Sequence, residues 1–166
     1  MNPFFNNFTY KAQEVLKKAH EMALEHGHQQ IDTLHLLATL LFQEESVVNS
    51  ILDKLEIDRP DLSEELLAAI DKLPRVALAI PLGQIYFTHD LGRVMEQSHR
   101  EASRLKDEYI STEHLFLALL EVPSKAKEFL EKVRVDRDSA LKALASLRGE
   151  ERVTDQEPET KYQVLE

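Results

Sequence analysis

Cysteine and tryptophan are absent from this 166-residue chain, and glycine occurs only four times. Without cysteine there is no disulfide framework, no thiol nucleophile and no cysteine-based zinc site. So few glycines exclude most phosphate-cradling loops, and neither a Gly-x-x-x-x-Gly-Lys-Ser/Thr loop nor a Gly-x-Ser-x-Gly elbow occurs. No apolar run approaches the roughly 18 to 20 residues that a membrane span needs. The opening Met1-Asn2-Pro3-Phe4-Phe5 lacks the basic start and long apolar stretch of a signal peptide. Basic residues are outnumbered, with Lys+Arg 20 against Asp+Glu 30 and a net charge of −10. That balance argues against a nucleic-acid backbone, which needs a dense basic face to displace counterions. The expectation is an acidic, soluble, cytoplasmic domain with neither nucleic acid nor membrane as partner.

The residues that are present read as helices. Between Phe8 and Leu24, Ala12, Val15, Leu16, Ala19, Met22 and Ala23 recur at spacings of three and four and form one helical stripe. Thr9 stands where an N-cap belongs, and Gly27 where the helix stops. Asp32 or Thr33 opens a second helix, Ser46 a short third, and Asp58 with Pro60 a fourth that ends before Pro74. No segment sustains period-two alternation, so little or no strand is expected.

The main organising signal is an internal repeat. Shifted by 79 residues, Phe8–Leu41 lies over Phe87–Leu120 without a gap, and 11 of these 34 positions are identical. Chance would give about two matches at ordinary residue frequencies. With one residue deleted the match continues through Leu52/Leu130, Lys54/Lys132, Asp58/Asp136 and Arg59/Arg137. The pattern predicts an all-α fold of two tandem four-helix repeats, eight helices in all, at about 8–73 and 87–149. Two copies are few for an open solenoid, so a closed pair about a pseudo-two-fold axis is expected, each copy burying the other's apolar face.

Residues 74–86 connect the repeats and are apolar although they contain two prolines and a glycine. Two readings stand: a strap across the core, or the lining of an exposed apolar groove. Residues 150–166 turn polar and acidic and read as a linker following the 1–149 domain.

Candidate chemistry is sparse. Glu25…His28 and Glu96…His99 match Glu-x-x-His, but Gly27 precedes His28 and Lys17 replaces Glu96 in the repeat. The reading is no metal site. His35 and His114, in the first turns of equivalent helices, read as buried, hydrogen-bonded core residues. Nothing specifies catalysis, so the domain is read as non-enzymatic. Asp107-Glu108-Tyr109-Ile110-Ser111-Thr112-Glu113-His114-Leu115 is the most distinctive stretch. It can serve helix initiation alone, with Ser111 as cap and Glu113 against the macrodipole. Alternatively, Asp107 and Glu113 meet backbone N–H groups or basic side chains of a polypeptide.

The doubled pattern resembles the Clp amino-terminal (Clp repeat) domain over roughly residues 8–149. Phe8-Thr9, Gly27-His28-Gln29-Gln30-Ile31-Asp32-Thr33-Leu34-His35-Leu36-Leu37 and Tyr109-Ile110-Ser111-Thr112-Glu113-His114-Leu115-Phe116-Leu117-Ala118-Leu119-Leu120 carry the resemblance. Leu73-Pro74-Arg75-Val76 and the tail from Leu147 are similar to the ClpB type, with ClpC and ClpA types as near alternatives. The resemblance implies a substrate-engaging N-domain on a hexameric AAA+ disaggregase, binding unfolded or aggregated polypeptide and working with a DnaK-type chaperone system. ATP and Mg would belong to ATPase modules outside these residues, with no cofactor in the domain itself, which is expected to be monomeric when isolated. A ClpC- or ClpA-type domain would instead dock adaptors for a protease. The matching polypeptide-binding positions are Thr9, Asp107 and Glu113, and Ile85, Tyr86, Leu91 and Met95 are expected to line an apolar groove between the repeats. The Val76-Ala77-Leu78-Ala79-Ile80 connector is more apolar than is usual in the family, so the groove or its cover is expected to differ.

Overall fold

The computed structural model describes residues 7–76, 85–149, 152–154, 156 and 159. Each repeat contributes four helices. Repeat one contains α1 (Tyr10–Glu25), α2 (Thr33–Phe42), α3 (Val47–Lys54) and α4 (Arg59–Asp71). Repeat two contains α5 (His89–Arg104), α6 (Thr112–Glu121), α7 (Lys125–Lys132) and α8 (Arg137–Arg148). Among the described residues, strands are limited to β1 (Gln30–Ile31) and β2 (Tyr86–Phe87), which pair in parallel. The all-α, eight-helix architecture is thus as the periodicity and repeat indicated.

The caps explain where the helices begin. Thr9, Asp32, Ser46 and Asp58 each accept a first-turn N–H in repeat one. Thr88, Ser124 and Asp136 do so in repeat two. Each such bond satisfies a donor that the helix itself cannot. After α1 the chain turns at Gly27, with φ 72°, and its counterpart after α5 is Lys106, with φ 59°.

The two repeats interlock at their N-termini. Phe8 pairs in parallel with Ile110, and Phe87 with Ile31, so each copy's phenylalanine lies beside the other copy's isoleucine. The Thr9 N–H donates to Ile110 O and the Thr88 N–H to Ile31 O, both at 2.9 Å. This exchange is the pseudo-two-fold relation in hydrogen bonds.

Helices α2 and α6 lie at the centre and are apolar nearly all round. Leu34, Leu36, Leu37 and Leu40 in α2 are buried, as are Leu115, Phe116, Leu117 and Leu119 in α6. Such a helix must be covered on every side. Helix α2 packs on α1, α4, α6 and α7, and α6 on α5, α8, α1 and α3. Each repeat therefore completes the other's core.

Of the connector, residues 77–84 lie outside the described residues, and with them the choice between strap and groove. Ile85 is half-buried against the core, while Tyr86 is 63% exposed. Among the described residues no helix is long and apolar enough to cross a membrane.

Candidate functional site

Thr9, Asp107 and Glu113 meet where α1 begins beside the loop that leads into α6. Thr9 caps α1: its Oγ1 accepts from Ala12 N at 3.2 Å and donates to Glu159 Oε1 at 2.6 Å. Asp107 sits in the turn between α5 and α6. Its side chain is wholly buried and is held from three directions. Arg148, the last residue of α8, donates to both oxygens at 2.8 and 2.6 Å. His114 Nε2 lies 2.7 Å from Oδ2, and the Val153 N–H donates to Oδ1 at 2.9 Å.

The tautomer of His114 follows from its other nitrogen. Nδ1 accepts the Ser111 backbone N–H at 2.8 Å, so the neutral ring carries its proton on Nε2 and donates it to Asp107. Burial opposes the Asp107 charge. The hydrogen bonds from His114, Arg148 and Val153 outweigh it and hold the carboxyl far below the usual aspartate range.

Glu113 is also fully buried. One carboxylate oxygen accepts from the Ser111 hydroxyl. The other, Oε2, makes no hydrogen bond, and Arg148 Nη1 stands 3.8 Å from it. The expected partners of these acids, a backbone N–H and a basic side chain, are therefore present and come from the chain itself. The helix-initiation reading of the stretch fits as well, since Ser111 and His114 bond reciprocally at the start of α6.

The groove residues are placed differently. Leu91 is fully buried and Met95 is 3% exposed, both within the core face of α5. They were expected to line the apolar groove between the repeats; at spacing four they lie on the stripe that α5 turns inward. Tyr86, paired with Gln30 at the other interlock, is well exposed, and Ile85 is half-buried.

Repeat one carries the same framework with different chemistry. His35 Nδ1 accepts the Asp32 N–H at 2.8 Å, and His35 Nε2 faces His28 Nδ1 at 2.9 Å. His28 stands where Asp107 stands in repeat two. Burial, then the charge of His28, pushes His35 down to about 4, and burial also lowers His28. Both rings are thus neutral, hydrogen-bonded core groups. Among the described residues no group of three or more histidine or acidic side chains could hold a metal ion.

Arg148, Val153 and Glu159 were not apparent as site residues from sequence. A signal for Arg148 existed: its counterpart in repeat one is Ile70, a fully buried core residue. An arginine at a core position of one copy calls for a buried anion, and the same copy replaces His28 by Asp107. The tail residues gave no such signal, because they follow the repeat and have no counterpart to compare.

The Clp repeat (R) N-terminal domain family matches residues 7–133. The chain is 35% identical over 162 residues to the chaperone protein ClpB of Bacillus cereus, covering 97% of this chain and 19% of that protein. It is 36% identical over 161 residues to ClpB of Rhodopirellula baltica, covering 97% and 18%. The chain thus spans about a fifth of the length of these relatives. Among solved structures, the Hsp104 N-terminal domain from Candida albicans superposes with a TM-score of 0.82 at 21% identity, covering 93% of this chain and 99% of that one. A complex of the ClpV N-domain with a VipB peptide gives 0.68 at 18% identity, covering 85% and 86%.

Proposed function

The chain belongs to the Clp repeat N-terminal domain family, and from that premise we propose that it engages unfolded or aggregated polypeptide for a ClpB-type, ATP-dependent disaggregase. Domains of this family are non-catalytic N-terminal regions of ATPases. Polypeptide captured here would pass to a hexameric AAA+ ring that binds ATP and Mg and works with a DnaK-type chaperone system. The 35% identity to a ClpB chaperone across nearly the whole domain supports the ClpB assignment. That a related N-domain is known in complex with a peptide supports peptide capture.

The observation that carries the reading is the convergence of Thr9, Asp107 and Glu113 at one junction between the repeats. Donors and acceptors there are the kinds that grip a peptide main chain. Tyr86, exposed at the other interlock, adds an aromatic contact surface. Titrating isotope-labelled domain with reduced, carboxymethylated lactalbumin should shift the amide resonances of Thr9, Tyr10, Glu108 and Tyr109. Binding should be weak, because an unfolded partner loses conformational entropy on capture. A titration that leaves these amides unmoved sinks the site.

A second reading, docking of a folded adaptor as in ClpC- and ClpA-type proteins, is favoured by the 63% exposure of Tyr86. It predicts one stoichiometric partner lost in Tyr86→Ala, with Thr9 and Asp107 indifferent.

A further inference from the structure

Among the described residues, the two interlocks differ in what lies on them. On the repeat-one side, His28, Asp32 and Thr88 border a cleft of about 310 Å³, with Leu73 to Val76 after α4 along its rim. On the repeat-two side the equivalent surface, bordered by Asp107 and Thr9, carries Val153, Gln156 and Glu159. Val153 and Glu159 are both fully buried there.

The contacts are those of a bound peptide. Val153 O accepts from the Glu108 N–H at 2.7 Å and the Tyr109 N–H at 3.3 Å, and the Val153 N–H donates to Asp107. Gln156 O accepts from the Tyr10 N–H at 3.0 Å, and Gln156 Nε2 donates to Phe8 O at 3.4 Å. The Glu159 carboxyl accepts from Thr9. Main-chain hydrogen bonds supply attachment and buried side chains supply selection, as is general in peptide recognition.

Resting on the polypeptide-capture reading above, we propose that this surface is a peptide site filled in cis by Val153, Gln156 and Glu159, and that incoming polypeptide takes it by displacing them. The resident residues define the class of ligand. It is a segment with a small β-branched side chain and free main-chain groups in the place of Val153, and a neutral carboxyl or amide in the place of Glu159. Because the resident is tethered, it competes at a high effective concentration. Access then depends on how firmly the tail is held.

The weak point of the hold is a pair of carboxylates. Glu159 Oε2 and Glu113 Oε2 are both buried without a hydrogen bond. Burial, then the charge of Glu113, pushes the Glu159 carboxyl up to about 7. The groups facing this pair are the capping Thr9, Lys11 of α1, Glu113 of α6 and Arg148 of α8, with Asp107 already engaged by Arg148. The docked tail thus binds a proton that the released tail gives up. Docking is strongest below the ordinary glutamate value of 4.5, weakens as pH rises to about 7, and is level above that.

Two variants of the full chain test this with opposite signs. Val153→Asp puts a charge in the buried seat, and Glu159→Gln removes the charge that opposes docking. The probes are reduced, carboxymethylated lactalbumin and a synthetic peptide of residues 150–160 added in trans. In Val153→Asp, the Tyr10, Glu108 and Tyr109 amides should lose hydrogen-exchange protection, and both probes should bind at least about tenfold more tightly than to the parent chain. In Glu159→Gln the same amides should stay protected and both probes should bind several-fold more weakly. Far-UV circular dichroism checks the fold, and Glu159→Gln, an isosteric change, keeps the test decisive should Val153→Asp unfold. Equal lactalbumin affinity in all three proteins would overturn the displacement proposal alone. No lactalbumin binding to any of them would overturn the capture reading beneath it. A parent chain that is dimeric in light scattering and becomes monomeric in Val153→Asp would overturn the cis assignment, since the tail would then be exchanged between copies.

Discussion

Asp107 shows how one residue serves structure and candidate function together. Its carboxylate is buried against a guanidinium that is itself 5% exposed. Removing it leaves Arg148 charged and without its two-pronged partner. Asp107→Ala should therefore destabilise the domain by about 3–5 kcal/mol, seen as a fall in Tm of roughly 10 °C for a domain of this size. Adding Arg148→Ile, the residue type of repeat one, should recover most of that loss. Loss of polypeptide binding in Asp107→Ala is informative only beside the double variant, where the fold is restored. The two interlocks also differ in acid. A group held below its ordinary value contributes stability that is lost as pH falls from the ordinary value towards the folded one. For His35 that window runs from 6.5 down to about 4. For Asp107 the loss begins only below about 3.8. In the Glu159→Gln background, which removes that carboxyl's opposite contribution, urea stability should thus decline between pH 6.5 and 4, by about 1.4 kcal/mol per pH unit for each histidine group at most. The decline should be shallower in His35→Gln, and an unchanged slope in that variant would count against the assignment.

Among the elements, α1 and α5 are a natural control for each other. Both begin at a threonine whose Oγ1 accepts a first-turn N–H, at 3.2 Å in each case. Only Thr9 also bonds to a tail residue. Thr88→Ala should cost about 1 kcal/mol, the usual value of a lost cap. Thr9→Ala should cost more, because the Glu159 carboxyl then loses its donor in a buried place. The excess should vanish when Thr9→Ala is made in the Val153→Asp background, and chemical denaturation of the four proteins measures it. Much of this level could be read from sequence. Thr9, Ser46 and Asp58 with Pro60 were recognisable as helix starts, because capping needs only a side-chain oxygen at the right offset. The burial of Leu91 and Met95 shows where such reading ends. Their spacing marks an apolar stripe, but whether a stripe faces the core or an open groove depends on what packs against it.

For the whole molecule, mutual completion of the two repeats is the governing feature. Helix α2 needs α6 and α7, and α6 needs α1 and α3, to cover surfaces that their own repeat leaves open. Neither repeat should unfold alone. Urea denaturation followed by far-UV circular dichroism and by tyrosine fluorescence should give one coincident transition, and two separated transitions would show the repeats to be independent. The sequence by itself determined the all-α class, the helix starts, the doubled unit and the family, because these rest on periodicity, local hydrogen-bonding chemistry and identities between aligned residues. It also placed Thr9, Asp107 and Glu113 among the residues of interest. Only the tertiary structure decided that the two acids are buried, that Arg148 neutralises one of them, and that Val153 and Glu159 lie over all three. Those contacts join residues as much as 150 positions apart. Burial and charge pairing at such separations are properties of packing, which no local pattern encodes.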